Sequence, residues 1–471
     1  MKAIKYLVAG ALMLSLSAPT MAQDVKSDVS AITKVIVDAN GDAVATKAQV
    51  KAFMKLYKKD PVALAGLGRA FLNAKNYDQA KVYADMAVKV GKNNAAGYIL
   101  HGDIASAQDN GGEAASWYEM STQNDPSNDV AYVKYARVYQ KVDPQGAVAM
   151  LEKLRSVKPD YPVDAAAGYM YSSNNQLKSA MQYYDKVSDV TTLDDYILFD
   201  YASTAYVLED YAKSLKLSVA GMSKYPQYSS FSRIALYSAD RSKDYASAVG
   251  YGEKLFNATD TIKYTVNDYT FYADALMNTG RYDDAAAQYR HISEVDPANK
   301  DANKLISACY VKAKRFDEAL AAYKQYLEDL GTEANANDYR ALADIYVDMM
   351  DGADEAGRLA ALRNADAVYA TIESKFDYAV DYAAYQRALI HYQINPDLKV
   401  GESLPFYKKY ITLVEPKAEK SASDIKKLSV AYQYLAVHYI QNDDVANAKI
   451  WAEKLLQIKP EDETAKQIMA L

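Results

Sequence analysis

The chain has 471 residues, 50% hydrophobic and 24% charged, and its 19 Gly and 12 Pro are too few for a low-complexity or collagen-like polymer. Residues 1–22 hold Lys2 and Lys5 and no acid, so the remainder sets 52 basic against 61 acidic residues, a net charge of −9. That balance argues against nucleic acid or an anionic membrane surface as the main partner. The single cysteine, Cys309, excludes an intramolecular disulfide and a cysteine-based metal site. This length allows about three ordinary domains or one long repeat array.

In chain order, the first segment reads as a secretory leader. Lys2 and Lys5 start it, Leu7 to Leu16 form its apolar stretch, and Thr20-Met21-Ala22 offers a small-x-small cleavage site before Gln23. The apolar run falls short of the ~18–20 residues a membrane-spanning helix needs. No cysteine follows it for lipidation, so the expected mature protein is periplasmic or secreted, begins after Ala22 and is not a lipoprotein. Residues 23–60 admit two readings. Val29, Ile32, Val35 and Ile36 suit a helix followed by another from about Thr46 to Lys58, whereas Asn40-Gly41 also suits a β-hairpin turn.

From residue 61 small residues recur at a fixed interval. Gly68, Gly102, Ala136, Gly168, Ala202, Leu236, Ala273, Ser307 and Ala343 are separated by 34, 34, 32, 34, 34, 37, 34 and 36 residues. A second series stands twelve residues after most of these: Ala80, Ala114, Ala180, Ser214, Ala248, Ala285 and Ala319. Pro126, Pro159, Pro226 and Pro297 close units, because proline cannot continue a helix. Leu64, Leu67, Gly68 and Phe71 fall on one helical face, and turns such as Asn278-Thr279-Gly280-Arg281 divide two helices. Each unit therefore reads as a helical hairpin that buries its apolar face only by stacking on its neighbours.

These residues resemble the tetratricopeptide repeat family. The period, Gly68 with Phe71, Ala136 with Tyr139, Ser307 with Tyr310, and above all Arg281-Tyr282-Asp283-Asp284-Ala285 and Arg315-Phe316-Asp317-Glu318-Ala319-Leu320 carry the resemblance. It implies an all-α, right-handed α-solenoid of about eleven hairpins. The array is regular over 61–330 and divergent over 331–460, and 461–471 form a capping helix. Ala343 and Ala365 stand 22 apart, which predicts about ten extra residues around Asp351 to Arg358, and a further loop is expected near Asn395-Pro396-Asp397.

Residue patterns for chemistry are weak. Asp38, Asn40 and Asp42 mimic the start of a calcium loop, but Ala43 and Gln49 stand where such a loop needs Gly and Glu. His101, His291, His391 and His438 are too far apart in sequence to pair as helical metal ligands. There is no Gly-x-Ser-x-Gly elbow, phosphate loop or His-Glu-x-x-His, and Cys309 suits a buried helix position. The expectation is a protein without catalytic residues, cofactor or metal.

What remains is surface. The resemblance assigns the concave groove to certain positions of each first helix, which places Tyr169, Tyr196, Phe199, Tyr206, Arg233 and Tyr237 there as an aromatic strip, with Arg69, Asp103, Arg137 and Asp274 beside it. Part of the 43 tyrosines belongs instead to the packing, with Tyr171, Tyr184 and Tyr289 at core positions. The groove lacks the asparagines of the family's carboxylate clamp. The expected function is a scaffold that binds a protein or extended peptide, with an envelope protein as the expected partner and self-association open. A glycan-binding protein on the same scaffold is the alternative.

Overall fold

The computed structural model describes residues 20–471, with side chains from residue 25. The expected leader, residues 1–22, lies almost wholly outside the described residues. Apart from three short 3-10 turns, all regular structure among them is α-helix. The chain divides into two compact units, one ending at Lys224 and the other spanning Tyr225–Leu471.

The first unit opens with α1 (Thr20–Asp38) and α2 (Lys47–Tyr57). Asn40 and Gly41 take positive φ values of 49° and 73° in the turn between them. Asp42 caps that turn, its Oδ1 accepting from the Val44 and Ala45 amides at 2.8 and 3.1 Å. Five hairpins follow: α3 (Pro61–Asn73) with α4 (Tyr77–Val90), α5 (Ala95–Ala107) with α6 (Gly111–Asn124), α7 (Asp129–Tyr139) with α8 (Pro144–Val157), α9 (Val163–Ser172) with α10 (Leu177–Tyr184), and α11 (Asp195–Val207) with α12 (Tyr211–Lys224).

The second unit has six hairpins: α13 (Ser229–Arg241) with α14 (Tyr245–Phe256), α15 (Val266–Asn278) with α16 (Tyr282–Val295), α17 (Ala302–Lys312) with α18 (Phe316–Leu330), α19 (Ala336–Asp348) with α20 (Glu355–Lys375), α21 (Val380–Ile394) with α22 (Leu404–Val414), and α23 (Ala422–Gln441) with α24 (Val445–Ile458). Helix α25 (Glu463–Ala470) packs on α24 and α23 and covers the last apolar face with Ala465 and Ile468.

Each hairpin buries its first helix (A) against its second (B), and within each unit a B helix packs on the A helix that follows it. A helices also touch one another, α3 with α5, α5 with α7 and α9 with α11 in the first unit, α13 with α15 in the second. This makes each unit a two-layered α-solenoid. The small residues of the period sit where A meets B. A Cβ added at Gly102 would lie 2.3 Å from the Tyr118 ring, and one at Gly168 would lie 2.5 Å from the Tyr184 ring. The tyrosine surplus follows from that fit: a small residue on A seats an aromatic ring from B, and Tyr118 and Tyr184 are among the largest fully buried side chains.

The irregular region is in the second unit. The extra residues near Asp351 divide between the connection 349–354, with Gly352 at φ 82°, and helix α20, which runs 21 residues where α14 and α16 run 12 and 14. The connection from α21 to α22, residues 395–403, is nine residues long, against three between α3 and α4.

Candidate functional site

The exposed aromatic side chains on the A-helix layer of the first unit, among the described residues, are Tyr169 of α9 and Tyr196 of α11, 37% and 52% exposed. Their rings meet edge to face at 5.2 Å and 82°, a favoured aromatic geometry. Gly168 explains what lies beneath. It leaves room for the ring of Tyr184, which stacks on Tyr201 at 4.7 Å. The Tyr184 hydroxyl donates to Asp200 at 2.5 Å, and Ser172 donates to the other carboxylate oxygen at 2.9 Å. Burial pushes the Asp200 carboxyl above its ordinary range, more than these two donors lower it. Asp200 lies one helical turn from Tyr196 on α11, so the exposed pair stands over a polar, hydrogen-bonded floor. Arg137 is near enough to act electrostatically on Tyr196 and Tyr161. It is exposed, and it makes no hydrogen bond or ion pair among the described residues. Phe199 and Tyr206 of α11 are half-buried, and the Tyr206 ring lies 5.5 Å from Tyr211.

The other expected groove residues are engaged in holding helices together. Arg69 of α3 pairs with Asp103 of α5, which also accepts from Lys134 of α7 at 2.7 Å and from the Tyr118 hydroxyl at 2.6 Å. One carboxylate thus ties three A helices. In the second unit Arg233 of α13 forms a two-pronged ion pair with Asp268 of α15 at 2.7 and 2.8 Å. Tyr237 is 8% exposed and donates to the same carboxylate at 2.7 Å. Asp274 is half-buried, beside the carboxyl of Asp240. Repeat spacing selects a helix face correctly. It does not say whether the adjacent A helix comes close enough to take up the side chain.

A site that sequence reading missed lies in the second unit. A cavity of about 350 Å³ is lined by Leu389 and Tyr392 of α21, Tyr407 of α22, Val430, Gln433, Tyr434 and Val437 of α23, and Leu398 of the nine-residue connection. That connection is pinned by His438, whose Nδ1 lies 2.6 Å from the Leu398 carbonyl oxygen, and by Asn442, which donates to the Lys399 carbonyl at 3.1 Å. Gly401, at φ 72°, passes so close that a Cβ would lie 2.5 Å from the His438 ring. The size and lining suit an apolar or aromatic side chain. The sequence signal for it was the lengthened connection itself.

Among the described residues no group of three or more His, Cys, Asp or Glu is placed to hold a metal ion. Cys309 is buried, and burial, with the Asp274 charge adding to it, pushes its thiol up to about 12, so it is no nucleophile at neutral pH. His101 lies 3.0 Å from Asp85 and stacks on Trp117 at 4.2 Å, and burial lowers its pKa. His291 meets Glu294 at 2.7 Å, and His391 stacks on Phe406 at 4.3 Å. No described helix is long and apolar enough to cross a membrane.

Comparison with known proteins agrees with the hairpin geometry. Residues 273–338 match the family model described as tetratricopeptide repeat. No curated protein sequence matches the chain. Similar solved structures include the C-terminal part of a tetratricopeptide repeat-containing protein from Cytophaga hutchinsonii, 19% identical over 57% of this chain and 98% of that one at a TM-score of 0.43. A tetratricopeptide repeat protein from Parabacteroides merdae is 17% identical over 52% of this chain and 97% of its own, at a TM-score of 0.32. PilF of Pseudomonas aeruginosa is 18% identical over 42% and 90%, at 0.33. The match over 273–338 falls on α15 to α18 and the start of α19: these residues are tetratricopeptide repeats, and the same kind of helical hairpin recurs on both sides of them.

Proposed function

We propose that this protein is an extracytoplasmic scaffold that holds a protein partner, an extended segment of another envelope protein, against the A-helix layer of its first unit. The tetratricopeptide scaffold is typically one of protein–protein interaction and generally not a catalyst. The observation that carries the reading is the Tyr169–Tyr196 pair with the uncommitted Arg137 near it. The pair is a rigid amphipathic contact area that loses little entropy on binding, and tyrosine and arginine are the residues that dominate protein interfaces. Support for the location is the basic, then apolar, then small-residue pattern of residues 1–22.

The test is affinity purification of the tagged chain from lightly crosslinked cell envelopes, in parallel with a variant carrying Tyr169→Ala, Tyr196→Ala and Arg137→Ala. A stoichiometric protein partner lost from the variant, with helicity by circular dichroism unchanged, is the expected result. A partner retained by both chains moves the interface off this surface. No protein partner, together with retardation of the chain by a polysaccharide in native gels, replaces this reading with glycan binding.

A further inference from the structure

Helix α2 differs in charge from the acidic chain that carries it. Residues 43–59 contain Lys47, Lys51, Lys55, Lys58 and Lys59 and no acid. Lys47, Lys51 and Lys55 recur every four residues and so form one stripe along the helix, with Lys58 continuing it. Ala48, Ala52 and Leu56, each one position further on, form a second stripe beside the first. All of these residues are exposed, Leu56 at 71%. Val50 and Phe53 are buried and fasten the other side of α2 to its own unit. None of the five lysine side chains makes a hydrogen bond or ion pair among the described residues. By contrast Lys134, Lys158 and Lys213 in the same unit reach carboxylates at 2.6 to 2.8 Å.

We propose that α2 is a docking stripe for an anionic phospholipid surface. The lysine stripe reaches headgroup phosphates, while Ala48, Ala52 and Leu56 settle at the top of the acyl region. A bilayer surface offers that combination on a plane, negative charge with apolar depth just beneath it. A lysine stripe beside a shallow stripe of two alanines and one leucine matches a plane better than it matches a pocket. The opposing charge of the rest of the chain sets the orientation: the acidic body is repelled, so α2 faces the lipid. The whole-chain charge argues against an anionic membrane as the main partner and leaves this one helix able to approach it.

The test is co-sedimentation of the full chain with vesicles of phosphatidylcholine alone and of equal parts phosphatidylcholine and phosphatidylglycerol, at low salt and at about 1 M, where screening is nearly complete. The expected result is at least about tenfold stronger partitioning onto the anionic vesicles at low salt, abolished by high salt. A Lys47→Gln, Lys51→Gln, Lys55→Gln variant loses that preference, while a Lys153→Gln, Lys178→Gln, Lys312→Gln variant of equal charge keeps it. Leu56→Ser weakens anionic binding several-fold without changing its salt dependence. Equal partitioning of wild type and the α2 variant overturns the proposal, as does binding indifferent to phosphatidylglycerol. Retention of wild type but not the α2 variant on immobilised polyglutamate, with no vesicle binding, assigns the stripe to an acidic protein and also overturns it. Circular dichroism of each variant checks that the helices remain.

Discussion

Two aspartates, one in each unit, are buried to the same depth on A helices, and their carboxyls are shifted in opposite directions. Asp103 of α5 is 8% exposed and Asp240 of α13 is 7% exposed. Burial works to raise the Asp103 carboxyl, but Arg69 and Lys134, from the A helices on either side, outweigh it and hold the group below its ordinary range. Asp240 meets Asp274 of α15 instead. Burial, with that second carboxylate adding to it, pushes the Asp240 carboxyl up to about 7. Depth alone does not set the charge of an A-helix side chain. The charge it can carry there is decided by the residue that the neighbouring repeat supplies.

Breaking the first arrangement has the largest effect. Asp103→Ala leaves the Tyr118 hydroxyl without its acceptor inside the core and removes the common partner of two cations. Arg69 and Lys134 are 41% and 33% exposed and regain water, so most of the cost belongs to Tyr118 and the lost packing. The expected destabilisation is about 3 kcal/mol. Trp117 of α6, in a Trp451→Phe background, reports it as a lower urea midpoint. Gly102→Ala attacks the same junction sterically. The added methyl meets the Tyr118 ring, which is 2% exposed and has no room to yield, and the expected loss is about 2 kcal/mol. A loss well under 1 kcal/mol for either change contradicts this account of the junction.

Acidity sharpens the comparison without mutation, because the two aspartates respond with opposite sign. The folded pKa of Asp103 is depressed, so its contribution is present above the unfolded value of about 4 and is lost as pH falls through the folded value. The folded pKa of Asp240 is raised, so the folded state holds a proton that the unfolded chain releases, and stability falls as pH rises from about 4 to about 7. Acidifying from pH 8 to 5 is therefore expected to slow hydrogen exchange in α13 and α15, after correction for the intrinsic rate, and to give no slowing in α5, where His101, its pKa lowered by burial, works the other way. Asp240→Asn removes the effect. Faster corrected exchange in α13 at pH 5 means that Asp240 is ionised in the folded state.

The repeat architecture was legible because it rests on volume. Gly102, Gly168, Ala273 and Ser307 are each followed sixteen residues later by Tyr118, Tyr184, Tyr289 and Tyr323, all buried. A ring that size demands a small residue opposite it, and the demand shows as a period. The surface was legible only in part. The register picks out Tyr169 and Tyr196, but the same register picks Asp103, Arg233 and Tyr237, which are taken up by the next A helix. Reach across a junction depends on both helices, and a single repeat does not contain that information. The cavity beside Tyr392 and Tyr434 was illegible for another reason: it depends on the path of residues 395–403, set by the distant His438 and its bond to the Leu398 carbonyl. Extra chain length is visible in a sequence, and where it goes is not.

Most turns between A and B share one backbone conformation in the two units, the α7–α8 turn and the long connections 349–354 and 395–403 apart, and they are the control for the comparison. Lys75, Asp109, Asn175 and Glu209 in the first unit, and Lys243, Gly280 and Lys314 in the second, all have positive φ, from 56° to 80°. Only Gly280 is a glycine. A left-handed conformation costs a residue with a Cβ about 1–2 kcal/mol, and glycine avoids that cost but loses more freedom on folding. Glu209→Gly and Lys243→Gly, both exposed and one in each unit, are therefore each expected to stabilise by about 0.5 kcal/mol, and Gly280→Ala to destabilise by about 1 kcal/mol. Thermal or urea midpoints check all three. The aspartates diverge because their energies depend on the neighbouring repeat, whereas a turn depends on its own four residues. Equal gains at 209 and 243 are expected on that ground, and gains of opposite sign at the two positions require some contact from outside the turn that the backbone geometry does not supply.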